Sequence, residues 1–186
     1  MAKTKLEPYQ QDFIDWSTWA KTKGVKVMLA PRNFGKRGRL TMYSVPAADV
    51  GFTGTHYGIN KRQRDRLTNL LLWLAPSRVH LGDCVGADAT AHALCLDLCV
   101  KTIGHLPDNN KARAFCVYDE ERTPLPYLER NQAIVNESLV LVACPRTDQE
   151  QRRSGTWATV RYARKVGKPV LIIGRDGKIK LEKNAP

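Results

Sequence analysis

Glycines, hydroxyls and carboxylates gather at three points in this 186-residue chain where an apolar run gives way to a helical pattern. The first is Gly51-Phe52-Thr53-Gly54-Thr55-His56-Tyr57-Gly58. The second is Gly82-Asp83-Cys84-Val85-Gly86-Ala87-Asp88. The third is Ser154-Gly155-Thr156, which follows the polar loop PRTDQEQRR. Glycine lets a backbone approach an anion closely, and a helix start presents unpaired N–H groups toward it. Neither a Walker A loop nor a G-x-G-x-x-G fingerprint is present, and a tight turn explains any one junction equally well. Three on one rim favour a pocket for phosphate and ribose. Asp83 precedes its helix and is placed to accept hydrogen bonds from a ribose, whereas Asp88 also reads as a charge favoured at a helix start. Arg130 and Asn131 sit together on a later helix. His56 and His105 each end an apolar run, facing either the pocket or the core. His92 lies four residues beyond Asp88, but no third ligand is placed beside that pair, so no metal site is expected.

The elements that must hold these residues follow from periodicity. Apolar runs at 48–52, 77–82, 100–106, 139–145 and 168–174 alternate with helical patterns over 60–75, 87–99, 126–138 and 155–167. Asn60 is the candidate cap of the first of these helices. A turn at Arg175-Asp176-Gly177-Lys178 leads to a last short strand, Ile179-Lys180-Leu181. Strands alternating with helices of this length imply right-handed crossovers and a mainly parallel sheet with helices on both faces. The fold class is α/β, Rossmann-like. Ligands of such sheets bind beyond the carboxyl ends of the strands, where the three junctions fall. Residues 1–45 read as an N-terminal basic extension with an amphipathic helix over 6–22, and residues 46–186 as the nucleotide-binding domain.

Composition narrows the classes. Lys and Arg total 30 against 18 Asp and Glu, giving a net charge of +12 and a pI of about 9.7. Such a surplus favours polyanions. Nine of the basic groups lie in residues 1–45, among them Lys36, Arg37 and Arg39 in a glycine-containing loop that could touch phosphates. No apolar run approaches the roughly 20 residues of a membrane span, and the start lacks the pattern of a secretory signal. The five cysteines show neither a C-x-x-C pair nor zinc spacing, which points to reduced thiols in the cytoplasm. Cys95 and Cys99, four apart on a helix, are expected on its core face. Trp157, early in the last helix, reads as core, with stacking on a base as the alternative.

GFTGTHYG, HLGDCVGADATAH, GHLP, PYLERNQAIVNES and RSGTWATVRYAR, in that order over residues 50–174, resemble the SLOG superfamily. That group includes the Lonely Guy enzymes and the DNA-processing protein A fold. The likeness is to its small bacterial and phage members related to YpsA. The resemblance implies a Rossmann-like fold that binds a nucleotide or nucleotide-derived ligand, with no further cofactor required, in a homo-oligomer. The exposed Trp16 and Trp19 of the first helix are candidates for the oligomer interface. The resemblance further implies that Gly54, Thr55, Gly82, Asp83, Gly86 and Asp88 line the sugar-base side. Ser154, Gly155 and Thr156 would take phosphate, with Arg130 and Asn131 reaching in. The chain departs from the Lonely Guy signature P-G-G-x-G-T-x-x-E, because Thr159 stands where the catalytic Glu is expected. Asp83 and Glu129 are the carboxylates left as catalytic candidates.

Three functions are therefore expected, in this order. The first is a binding module for a mononucleotide or ADP-ribose-like ligand, acting as a sensor or sequestering protein. The second is a hydrolase of the N-glycosidic bond in such a ligand. The third is single-stranded nucleic-acid binding through Lys36, Arg37, Arg39 and the strand-end rim. No membrane partner is expected.

Overall fold

The computed structural model describes residues 48–182. The expected helix over 6–22 and the basic residues Lys36, Arg37 and Arg39 lie outside the described residues. In chain order the elements are β1 (Val50–Gly54), α1 (Lys61–Leu74), β2 (Arg78–Leu81), α2 (Ala87–Asp97), β3 (Lys101–Pro107) and β4 (Glu120–Leu125). Then follow α3 (Tyr127–Glu137), β5 (Val140–Cys144), α4 (Gly155–Lys165), β6 (Val170–Ile173) and β7 (Ile179–Glu182). They form a single sheet in the order β4-β3-β2-β1-β5-β6-β7. All neighbours run parallel except the last pair, in which β7 turns back antiparallel along β6. The strand order reverses at β1, between β2 and β5, so the switch-point crevice lies beyond Gly54 and Cys144, which are paired in register.

The continuous apolar run of β5 is explained by burial on both faces. Val140, Val142 and Cys144 join one core with Val50, Phe52, Leu67 and Leu94. Leu141 and Ala143 point the other way, into a second core with Ile134, Trp157 and Val160. Trp157 is thus core, as its position on the helix implied. The start of α1 carries a capping box, with Gln63 N–H donating to the Asn60 side chain and Asn60 N–H to Gln63 Oε1. The fully buried Gln63 amide also donates to the carbonyls of Pro145 and Ile173, tying α1 to the ends of β5 and β6.

Two expectations change. Residues 120–125 form an edge strand although EERTPL has no apolar run. Among the described residues it pairs with β3 alone, at the edge of the sheet, and its side chains stay largely solvated and carry no burial signal. Cys99 is exposed, because α2 stops at Asp97 and the chain passes through a left-handed residue at Cys99 (φ 55°); only Cys95 faces the core. Gly104, in the middle of β3, lies against the Tyr118 ring, and a β-carbon there would come within 2.6 Å of Tyr118 Cγ. Gly104→Ala is expected to destabilise the protein by about 2 kcal/mol through overpacking, read as a lower midpoint in urea unfolding.

Candidate functional site

A cavity of about 580 Å³ opens at the carboxyl ends of β1 and β5, a size that suits a nucleotide-sized ligand. The loop after β1 supplies Thr53, Gly54, Thr55 and His56 to its wall. The start of α3 supplies Arg130 and Asn131, and the start of α4 supplies Ser154, Gly155 and Thr156. Asp88 enters from the first turn of α2. All of these except Thr53 were among the candidates expected from the sequence and the family resemblance.

The start of α4 is the junction that behaves as expected. Ser154 caps the helix, accepting from Trp157 N–H through its side chain. The first-turn amides of Gly155 and Thr156 have no acceptor within the helix itself and face the cavity rim. Among the described residues, leaving aside the adjacent residues and the helix's own backbone, no atom lies within 4 Å of where a β-carbon on Gly155 would sit, so packing does not require glycine there. Gly155→Ala is expected to leave thermal stability nearly unchanged while weakening ligand binding about tenfold, a split that a thermal melt and a titration resolve.

The other two helix starts differ from expectation. At α1 the capping box engages the Asn60 and Gln63 amides, and Asn60 lies outside the cavity wall. Ahead of α2, Cys84 N–H donates to Asp88 Oδ2, Val85 N–H to the Ala112 carbonyl and Ala87 N–H to the Thr55 carbonyl. Protein acceptors thus satisfy those amides. Gly82 and Gly86 do not line the cavity; they permit internal contacts. A β-carbon on Gly82 would overlap the Arg130 guanidinium, and Gly86, at φ 91°, packs against the His56 carbonyl.

Asp83 is the clearest correction. It is fully buried behind the cavity wall, and its positive φ of 54° turns the side chain inward. Its Oδ2 accepts from Arg113 Nε at 2.6 Å, and its Oδ1 accepts from Cys116 N–H at 3.1 Å and Tyr118 O–H at 3.2 Å. Both oxygens are engaged, so neither a ribose contact nor catalysis is open to it. Glu129 is solvent-exposed on α3 and stands outside the cavity wall. Thr159, at the position of the Lonely Guy glutamate, is buried beneath the first turn of α4. Its hydroxyl donates to the Gly155 carbonyl at 3.0 Å and lies 3.5 Å from the Thr53 hydroxyl. His92 faces the Val117 carbonyl at 2.8 Å, and His105 packs against His80 away from the cavity.

Charge concentrates around Arg130. Only 4% exposed, it sends Nη2 to Cys84 Sγ at 3.1 Å. Its Nη1 stands 3.9 Å from Asp88 Oδ2, beyond hydrogen-bond range. Its Nε has no hydrogen-bond partner among the described residues. A buried guanidinium with five donors and so few partners is costly unless an anion completes it. Burial pushes the Asp88 carboxyl up to about 6, against the pull of Arg130 and of the Cys84 and Gly82 amides. Part of the nearby negative charge is therefore lost in mildly acidic solution.

Several cavity residues were not identified from the sequence. Arg146 and Arg153 line the cavity from the loop between β5 and α4, and Tyr57, Cys84, Tyr127 and Gln151 join them. Arg146 stacks 4.0 Å above the largely exposed Tyr57 ring. The two arginines lie within or at the end of the polar loop PRTDQEQRR, and that density of basic side chains beside a glycine-containing helix start was the available signal.

The sheet order and the crevice at β1 and β5 define a Rossmann-like α/β protein with a cleft at its topological switch point. No protein-family model matches the chain, and no curated protein sequence matches it. Solved structures do share its fold. The molybdenum cofactor binding protein of the phototrophic bacterium Rippkaea orientalis superposes with a TM-score of 0.54 at 24% identity, over 70% of this chain and 78% of that one. The molybdenum cofactor carrier protein of Chlamydomonas reinhardtii gives 0.52 at 22% identity, over 68% and 76%. The protein TM1055 gives 0.51 at 20% identity, over 66% and 72%. The Rossmann-like fold implied by the SLOG resemblance is thereby shown.

Proposed function

We propose that the cleft binds a nucleotide or nucleotide-derived anion, a nucleoside monophosphate or an ADP-ribose-like molecule, and that the protein acts as a sensor or sequestering module. Arg130 carries the reading, as a buried and under-partnered guanidinium in the same cavity as the free amides of α4. Arg146 and Arg153 add positive charge, and Tyr57 with Arg146 offers a flat surface for a base. Proteins of this fold include two whose names describe binding or carrying the molybdenum cofactor, which supports small-molecule binding in general. A reducing cytoplasm suits the five free thiols, and no helix among the described residues is long and apolar enough to cross a membrane.

Hydrolysis of an N-glycosidic bond is the second reading. Asp83 and Glu129 no longer support it, but Asp88, with its carboxyl near 6, has the character of a proton donor. Incubating the purified protein with nucleoside monophosphates, NAD and ADP-ribose separates the two. Saturable binding without release of free base supports the module. Release of base that is lost in Asp88→Asn supports the hydrolase. No binding of any of the three sinks both. Binding of single-stranded DNA that falls steeply with salt, and is abolished by neutralising Lys36, Arg37 and Arg39, would favour the nucleic-acid reading instead.

A further inference from the structure

The second face of the sheet is apolar where α3 and α4 cover β5 and β6. Under the far end of α3 it is not. There β2 and β3 present His80 and His105, each only 1% exposed, where a hydrophobic pair would pack at lower cost. His80 Nδ1 lies 2.9 Å from His105 Nε2 and 3.9 Å from the Glu137 carboxylate at the last turn of α3. Glu137 is seven residues beyond Arg130, about 10 Å along the helix, so this cluster is separate from the ligand cleft.

We propose that His80, His105 and Glu137 form a binding site for a divalent transition ion of the zinc class. Ligand atoms from the three residues lie within 4.8 Å of one another. A tetrahedral ion with bonds of about 2.1 Å needs donors about 3.4 Å apart, a spacing that the observed 2.9 and 3.9 Å bracket. Two imidazoles and one carboxylate select zinc, nickel or copper over magnesium or calcium. The fourth position is left to water on the half-exposed Glu137 side.

The surroundings are those of a supported site. The outer Nε2 of His80 faces Asp49 Oδ2 at 3.6 Å, just beyond hydrogen-bond distance, which places a carboxylate where one orients a histidine ligand. Asp49 is itself held by both Nε and Nη2 of Arg78, and Glu137 is held by Arg122 Nε at 2.9 Å. The outer nitrogens, His80 Nε2 and His105 Nδ1, lack hydrogen-bond partners among the described residues.

The test titrates zinc chloride into the chelator-stripped full chain by calorimetry, with cobalt substitution followed by visible absorption. A single tight zinc ion per chain is expected, with a tetrahedral cobalt spectrum and a raised melting temperature. Glu137→Gln is expected to weaken zinc binding at least tenfold, and Asp49→Asn by about tenfold through loss of the carboxylate charge that faces the His80 ring. His105→Gln should abolish binding; should that variant not fold, the half-exposed Glu137 and the cobalt spectrum still decide. Absence of stoichiometric zinc binding, or zinc binding unchanged in Glu137→Gln and Asp49→Asn, overturns the proposal.

Discussion

Arg130→Ala is expected to weaken binding of ADP-ribose by about 100-fold, or about 3 kcal/mol, the scale for removing a buried charge that meets an anion. The loss should be largest for ligands carrying phosphate and small for a free nucleoside, because the guanidinium acts on the anion. Arg130→Lys should restore only part of the affinity, since an ammonium lacks the fork that spans two oxygens. The fold should survive, because Asp88 already has its carboxyl raised to about 6 and stays neutral more readily once the guanidinium is gone. Calorimetric titration of the wild type and both variants measures these differences. Equal affinity in all three would remove the central support for the proposed function.

Acid should strengthen the same complex. Asp88 competes with the ligand for Arg130, and its protonation removes both the competition and a negative charge from the cavity wall. With the carboxyl near 6, affinity for ADP-ribose, whose diphosphate stays ionised, is expected to fall by up to about tenfold per pH unit above that value. Asp88→Asn should bind at pH 8 as the wild type does at pH 5. Charged and titratable groups that share the cavity or act on Asp88 are Arg130, Arg146, Arg153, Cys84, His56, Tyr57, Tyr127 and the buried Asp83. Repeating the series in His56→Gln isolates the Asp88 contribution. Stability has a matching sign. The folded value lies above the unfolded 3.8, so this contribution is complete below 3.8 and is lost as pH rises through about 6. A flat affinity profile between pH 5 and 8 would show that Asp88 does not govern access to Arg130.

Much of the fold was legible because strands buried on both faces and amphipathic helices write their burial into local order. The runs LVLVAC and VLIIG became β5 and β6, and the Asn60 cap proved to be half of a capping box. The edge strand β4 escaped because its mainly solvated side chains leave no such trace. Within the site, the Ser154–Thr156 turn was identifiable from residue type and position at the strand-to-helix rim, whereas Arg130 and Asn131, inside a helix, were singled out only by the family resemblance. Asp83 misled for a physical reason. A carboxylate after a strand and before a helix looks available, but a left-handed backbone turns this one inward.

Hydrophobic periodicity and the placement of glycines and caps thus determined the α/β architecture and the edge of the sheet where the cavity opens, since these signals act over a turn of helix or a pair of strand residues. Tertiary structure alone decided which polar groups remain open to a ligand. Asp83 is saturated by Arg113, Cys116 and Tyr118, 30 to 35 residues away, while Arg130 keeps an unpaired nitrogen in the cavity wall. Hydrogen-bond saturation depends on partners that meet only after the chain has packed, and no local pattern encodes it.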